Sequence, residues 1–256
     1  MCIIAFKKAG EKHPSKKTLQ ICAENNPDFA GIMVATGNEV IIRKGFEGVR
    51  GIRKALREIE AEYNIDTIDF PVVYHFRIAT SGLIKPQNAH PFPLSNKVRE
   101  LQSTRISCNA GIAHNGIIQN VGNEKNISDT QLFIRDFLSL WKYEELMTDR
   151  VNRLVGLSIG NDKLIALYKT GAAMQWGTWY DVDGISYSNE TYKSARIVYG
   201  SAATDWGNYI DKGTRFTREK CVLCGEKTWT DLLDANGICK GCRKLLGRQN
   251  FEFGNL

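Results

Sequence analysis

Two C-x-x-C pairs near the C-terminal end restrict the architecture more than any other feature of this chain. They are Cys221-Val222-Leu223-Cys224 and Cys239-Lys240-Gly241-Cys242, with fourteen residues between Cys224 and Cys239. This is zinc-ribbon spacing, and four thiolates suit one tetrahedral Zn²⁺ held in a structural role. Gly225, beside the first pair, and Gly241, inside the second, supply the backbone freedom that knuckle turns need. Two matched pairs argue against a redox motif; an iron–sulfur cluster is the alternative. The chain has 256 residues, so a larger body precedes this module. The expected division is 1–210 and 211–256.

That body reads as interleaved strands and helices. Apolar runs at 1–8, 29–36 and 39–44 predict strands separated by turn-like Asn-Pro and Gly-Asn steps. Val49, Ile52, Leu56, Ile59 and Tyr63 recur at helical spacing and predict a helix over Glu47–Tyr63. Val72–Ala79 predicts a strong strand, followed by a loop over Thr80–Leu94 punctuated by Gly82, Pro86, Pro91 and Pro93. Gly111–His114 predicts a strand stopped by the Asn115-Gly116 turn pair. Ser128 or Asp129 caps a predicted helix reaching about Trp141, with Leu132, Phe133, Phe137 and Trp141 as its buried stripe. A further helix is expected over Thr148–Leu154. Lys163–Lys169, Ala172–Trp176 and Gly184–Ser188 predict strands of a second sheet, and 191–213 is weakly patterned. Hairpin-like turns between strands exclude a simple doubly wound parallel sheet. The expected fold class is α+β, with two largely antiparallel sheets covered by helices.

Composition narrows the setting. No apolar run approaches the ~20 residues of a membrane span, and no basic segment precedes a long apolar stretch. Neither a membrane protein nor a signal peptide is expected. Seven cysteines, four of them in C-x-x-C pairs, fit a reducing, cytoplasmic compartment better than a disulfide framework. Cys22 and Cys108 have no motif partner and read as buried apolar residues. The net charge of +6 permits an anionic partner without requiring one.

Four segments carry chemistry. Cys2 directly follows Met1 at the head of a strand-like run. Removal of Met1 leaves a thiol and a free α-amine on one residue, a nucleophile and a base together. Arg77, in His75-Phe76-Arg77-Ile78-Ala79-Thr80-Ser81-Gly82, offers a planar fork for a carboxylate where a strand gives way to a loop. Asn115 and the Gly116 N–H sit in a tight turn and can stabilise an oxyanion. Asp129, at a helix start, can accept a substrate ammonium. Each has a plain structural reading, respectively a buried small residue, a surface ion pair, a hairpin turn and an N-cap. Together they suit an amino acid whose side-chain carbonyl is attacked, and glutamine matches.

These segments, Met1-Cys2-Ile3-Ile4, the His75–Gly82 stretch, Ala113-His114-Asn115-Gly116-Ile117-Ile118 and Ser128-Asp129-Thr130, follow the order seen in class II glutamine amidotransferases. The chain resembles that family, part of the N-terminal nucleophile hydrolases, over roughly residues 1–200. The resemblance implies a four-layer αββα fold and hydrolysis of glutamine to glutamate and ammonia. By position it makes Cys2 the nucleophile and its α-amine the base, with Asn115 and Gly116 as the oxyanion hole. It assigns Arg77 to the substrate α-carboxylate, Asp129 to the α-ammonium and Thr80 to the pocket lining. His90, in an Ala-His-Pro-Phe-Pro segment, also matches small relatives and receives no role. Ile78 and Ser81 depart from the Trp and His usual in members fused to isomerase domains, which argues against hexosamine synthesis. Gly184–Tyr192 resembles a late strand and turn of compact members, with Ser188-Asn189 as the turn. Ammonia requires an acceptor, so a separate synthetase or ligase partner is expected.

Lys240, Arg243, Lys244 and Arg248 cluster after the second C-x-x-C pair, with Trp229 nearby in sequence. That patch allows contact with nucleic acid and suggests base or nucleotide modification as the destination of the ammonia. The other reading is a structural brace or partner-docking surface. Two different functions stay open: a γ-glutamyl amide hydrolase acting on a small metabolite, and a catalytically inert scaffold or nucleic-acid-binding protein.

Overall fold

The computed structural model describes residues 2–79, 83–119, 121–194, 218–220 and 227–229. The chain divides into two compact units, 1–197 and 198–256. In the first unit β1 (Ile3–Lys7) leads to α1 (Lys16–Asn25), β2 (Ala30–Ala35), β3 (Val40–Phe46), α2 (Gly48–Tyr63) and β4 (Val72–Phe76). Then come β5 (Phe92–Pro93), α3 (Val98–Leu101), β6 (Arg105–Cys108) and β7 (Ala110–Asn115). Helices α4 (Asp129–Asp136), α5 (Tyr143–Leu146) and α6 (Asp149–Ile159) precede β8 (Lys163–Tyr168), β9 (Ala173–Trp176), β10 (Tyr180–Val182) and β11 (Ile185–Tyr187).

The architecture is mixed α and β, with every strand pairing in the described residues antiparallel. A seven-stranded sheet runs β10-β11-β1-β4-β2-β3-β6, and a four-stranded sheet runs β5-β7-β8-β9. Three apolar cores explain how they stack. Ile3, Ala5, Ile32, Val34, Tyr74 and Phe76 face α1 and α2, whose buried residues Leu19, Cys22, Ile52 and Ile59 join them. The alternate residues Ile4, Phe6, Met33, Ile42 and Val73 meet Ala113, Ile165 and Leu167 of the smaller sheet. That sheet's other face, with Ile112, Leu164 and Ala166, packs on Phe133, Ile134, Val151 and Val155 of α4 and α6. The strand period of two thus sorts each strand between a helix-facing and a sheet-facing core. A Cβ on Gly111 would lie 2.6 Å from the Met33 sulfur, so that glycine permits the close approach of the sheets.

The helices form for legible reasons. Val49, Ile52, Leu56 and Ile59 make a buried stripe on α2, which ends at Asn64 in the left-handed region. Ser128 and Gln131 close a capping box at the start of α4.

Several expectations change. The helix predicted to reach Trp141 ends at Asp136, where the extended-side φ of Phe137 (−128°) breaks it before a 3₁₀ turn at Leu138–Leu140. The predicted helix ending at Leu154 instead reaches Ile159. The strand at 184–188 does not join the second sheet. β11 pairs with β1 (Ala5↔Tyr187), because Ile185 and Tyr187 bury into the α1/α2 core, where Tyr187 stacks on Tyr192. Cys22 is buried, whereas Cys108 is only partly so. No helix among the described residues is long and apolar enough to cross a membrane.

In the second unit β12 (Arg218–Lys220) pairs antiparallel with β13 (Lys227–Trp229). Cys221 and Cys224 fall in the sequence between these strands. They, Cys239 and Cys242 lie outside the described residues.

Candidate active site

The register of the larger sheet brings Cys2 and Arg77 together. Ile3 pairs with Phe76, so Cys2 and Arg77 stand opposite each other one residue beyond the paired ends of β1 and β4. Opposed residues of an antiparallel pair share a face, with Cβ atoms ~5 Å apart. Strand alternation puts both on the side of Ile4 and Val73, facing the smaller sheet. Ser188, just past β11, lies on the same face. From the other sheet, Asn115 at the end of β7 faces it.

Side-chain contacts tie these positions together. The Cys2 thiol points at the Ile78 carbonyl, with Sγ and O 3.6 Å apart. Asn189 Nδ2 donates to the Cys2 carbonyl at 2.7 Å. Ser188 Oγ accepts the Ile4 N–H at 2.9 Å and lies 2.9 Å from Asn115 Nδ2. One hydroxyl therefore joins the strand carrying Cys2 to the Asn115 amide. Asn115 is 2% exposed, and its Oδ1 has no hydrogen-bond partner among the described residues. A half-turn of this amide keeps the bond, with the Ser188 hydroxyl now donating to Oδ1, and directs the NH₂ to the unpartnered side.

Arg77 is held by its backbone. Its N–H donates to the Phe29 carbonyl (3.0 Å) and its carbonyl accepts from the Asp28 N–H (2.8 Å). The Asp28 carboxylate in turn accepts the Ala79 N–H at 2.8 Å. Burial pushes the guanidinium pKa down, and the nearby Cys2, Asp28 and Asp129 push it back up. Asp129 thus lies within electrostatic range of Arg77. Its Oδ2 accepts the Ile118 N–H at 2.8 Å, at the positive end of α4. Burial pushes the Cys2 thiol pKa up, while the Ile78 hydrogen bond and the Arg77 charge oppose the rise. A raised pKa keeps the sulfur protonated at neutral pH, so attack by Cys2 needs a base.

The turn after β7 is fixed from several directions. His75 Nε2 donates to the His114 carbonyl at 3.0 Å. The His114 ring spans Thr130 Oγ1 and Asp162 Oδ2, each at 3.1 Å. The same Asp162 oxygen accepts the Ile117 N–H at 2.9 Å. A Cβ on Gly116 would sit 1.9 Å from the Asp162 carboxylate carbon, so no larger residue fits there without a shift. Burial lowers the His75 pKa to about 3, so its ring is neutral. The His90 ring lies beside His75 at a tilt of 31°, with ring centroids 4.3 Å apart, and burial likewise holds it neutral. Neither His90 ring nitrogen has a partner among the described residues.

Of the predicted site residues, Cys2, Arg77 and Asn115 lie on the facing sides of the two sheets, Gly116 follows Asn115 in the turn, and Asp129 stands within electrostatic range of Arg77. Thr80 lies outside the described residues, as do the four C-x-x-C cysteines. Among the described residues no group of His, Cys, Asp or Glu side chains could hold a metal ion. Sequence reasoning gave no role to Ser188, Asn189, Asp162 or His75. The Ser188-Asn189 pair is legible in sequence as a turn, and His75 stands in the His75–Gly82 segment. Asp162 carried no signal beyond its position between a helix and a strand. No family model matches the chain, and no curated protein matches it in sequence.

Proposed function

We propose that this protein is a glutamine amidotransferase subunit of the class II type, with Cys2 as its N-terminal nucleophile. The observation that supports this most is the convergence of Cys2, Arg77 and Asn115 from three strands of two sheets, with Asp129 within electrostatic range of Arg77. The stacking of two antiparallel sheets between helices, with three apolar cores, supports the four-layer αββα arrangement that this reading implies.

In this reading removal of Met1 frees the Cys2 α-amine, whose pKa near ~8 suits a base at neutral pH. The amine takes the thiol proton as sulfur attacks the glutamine side-chain carbonyl. The oxyanion is met by the Asn115 NH₂ and the Gly116 N–H. Arg77 grips the α-carboxylate and Asp129 the α-ammonium. Asp129 accepts the Ile118 N–H through Oδ2. The tetrahedral species collapses, and ammonia leaves with the proton held by the α-ammonium. Water then attacks the γ-glutamyl thioester, releasing glutamate and the thiol. Ammonia passes to a separate synthetase or ligase.

The test is a product assay on purified protein. Glutamine should yield glutamate and ammonia in equal amounts. Turnover of other γ-glutamyl amides with none of glutamine would assign a metabolite hydrolase instead, and no turnover of either would leave an inert scaffold.

For the second unit we propose one structural Zn²⁺ on Cys221, Cys224, Cys239 and Cys242. The donor set supports it, since four thiolates match tetrahedral Zn²⁺ and leave no open position for catalysis. Protein purified without chelator should carry about one zinc per chain, lost on changing these cysteines to serine. Metal-free protein by elemental analysis contradicts the assignment. The basic residues after Cys242 leave nucleic acid as a proposed contact of this unit.

A further inference from the structure

We infer that Asp162 is the positioning residue that holds the Asn115–Gly116 turn in the shape of an oxyanion hole. The inference rests on reading the Cys2 site as an amide hydrolase, and it concerns a residue with no role in the chemistry itself. One carboxylate oxygen accepts from both flanks of the turn, His114 Nε2 at 3.1 Å before it and the Ile117 N–H at 2.9 Å after it. Between those anchors the carboxylate lies against Gly116 where a Cβ would be.

The chemistry of the clamp is specific. A carboxylate only accepts, so His114 must donate through Nε2. In the neutral ring Nδ1 then accepts from the Thr130 hydroxyl, which joins the turn to the first residues of α4 beside Asp129. The His114 carbonyl accepts from His75, fixing the peptide plane that leads into Asn115. With both flanks pinned, the Gly116 N–H has little freedom to rotate. An oxyanion hole acts through donors already aimed before charge develops, and loss of that aim lowers kcat rather than substrate affinity. Asp162 comes from the turn between α6 and β8, and its side chain is about one quarter exposed (24%). Substituting it therefore leaves the buried cores intact.

The experiment compares Asp162→Ala and Asp162→Asn in the full chain. Asp162→Ala should lower kcat for glutamine by about 10- to 100-fold with KM changed less than about threefold. Asp162→Asn keeps one acceptor oxygen and should recover most of the loss. Alkylation of Cys2 by iodoacetamide, which forms no oxyanion, should proceed at the same rate in all three proteins. Hydrogen exchange gives a readout independent of activity: the Ile117 amide should be protected in the parent and exchange at least about tenfold faster in Asp162→Ala. Equal kcat in parent and Asp162→Ala, or unchanged Ile117 protection, overturns the clamp. A parent that fails to turn over glutamine, with Ile117 protection lost in Asp162→Ala, supports the clamp and overturns the hydrolase reading instead.

Discussion

Changing Cys2 to alanine should abolish glutamine hydrolysis while the fold persists. In the proposed sequence the sulfur is the protein atom that bonds to the substrate carbonyl carbon, so its loss should cost at least about 10³-fold in kcat. The structural cost should be small. Cys2 precedes the first paired residue of β1, and among the described residues its thiol makes one polar contact, a long one of 3.6 Å to the Ile78 carbonyl. Alanine keeps the backbone bond from Asn189 to the Cys2 carbonyl. Unfolding free energy should therefore change by less than about 1 kcal/mol. Kinetics and denaturant unfolding on one preparation separate the two effects. Activity equal to the parent contradicts the nucleophile assignment, and a collapsed unfolding transition reassigns Cys2 to the core.

The second large effect is expected at Gly116. Alanine there places a Cβ 1.9 Å from Asp162 Cγ, at a φ of +156° that side-chain-bearing residues rarely adopt. The turn must move or the carboxylate must leave, breaking the bonds to His114 and Ile117. A cost of about 2–4 kcal/mol in stability is expected, with a kcat loss of about 10²- to 10³-fold from the displaced N–H. The two parts can be told apart. Removing the carboxylate with Asp162→Ala opens the space the new methyl needs, so the double variant should lose less stability than the two single losses summed. Strict additivity would mean that the backbone conformation alone, and not the Asp162 contact, demands glycine at this turn.

The parts of the fold that were legible in sequence are those governed by local pattern. The stripe of Val49, Ile52, Leu56 and Ile59 announced α2, and the Asn115-Gly116 pair marked the end of β7. The cap expected at Ser128 or Asp129 is filled by Ser128. Helix α1 was not foreseen, because Lys16–Asn25 buries only Leu19, Cys22, Ala23 and Asn25 on an otherwise polar segment. The placement of β11 beside β1 was equally invisible. It depends on pairing residues such as Ala5 and Tyr187, far apart along the chain. The site has the same division. Its chemical groups could be named one by one from residue type, but the bonds that join them span long separations. Ile4 and Ser188 are 184 positions apart, Cys2 and Asn189 187, and His114 and Asp162 48. Periodicity and turn chemistry act over a few residues, so they cannot report such contacts.

The central claim is that a processed N-terminal cysteine sits in a pocket shaped for glutamine. The most direct test treats the purified protein with an electrophilic glutamine analogue and maps the adduct by mass spectrometry. The account predicts a single modification on Cys2, on chains that have lost Met1, formed more slowly in the presence of free glutamine. An unmodified Cys2 on chains that retain Met1, or labelling that glutamine does not slow, would contradict it.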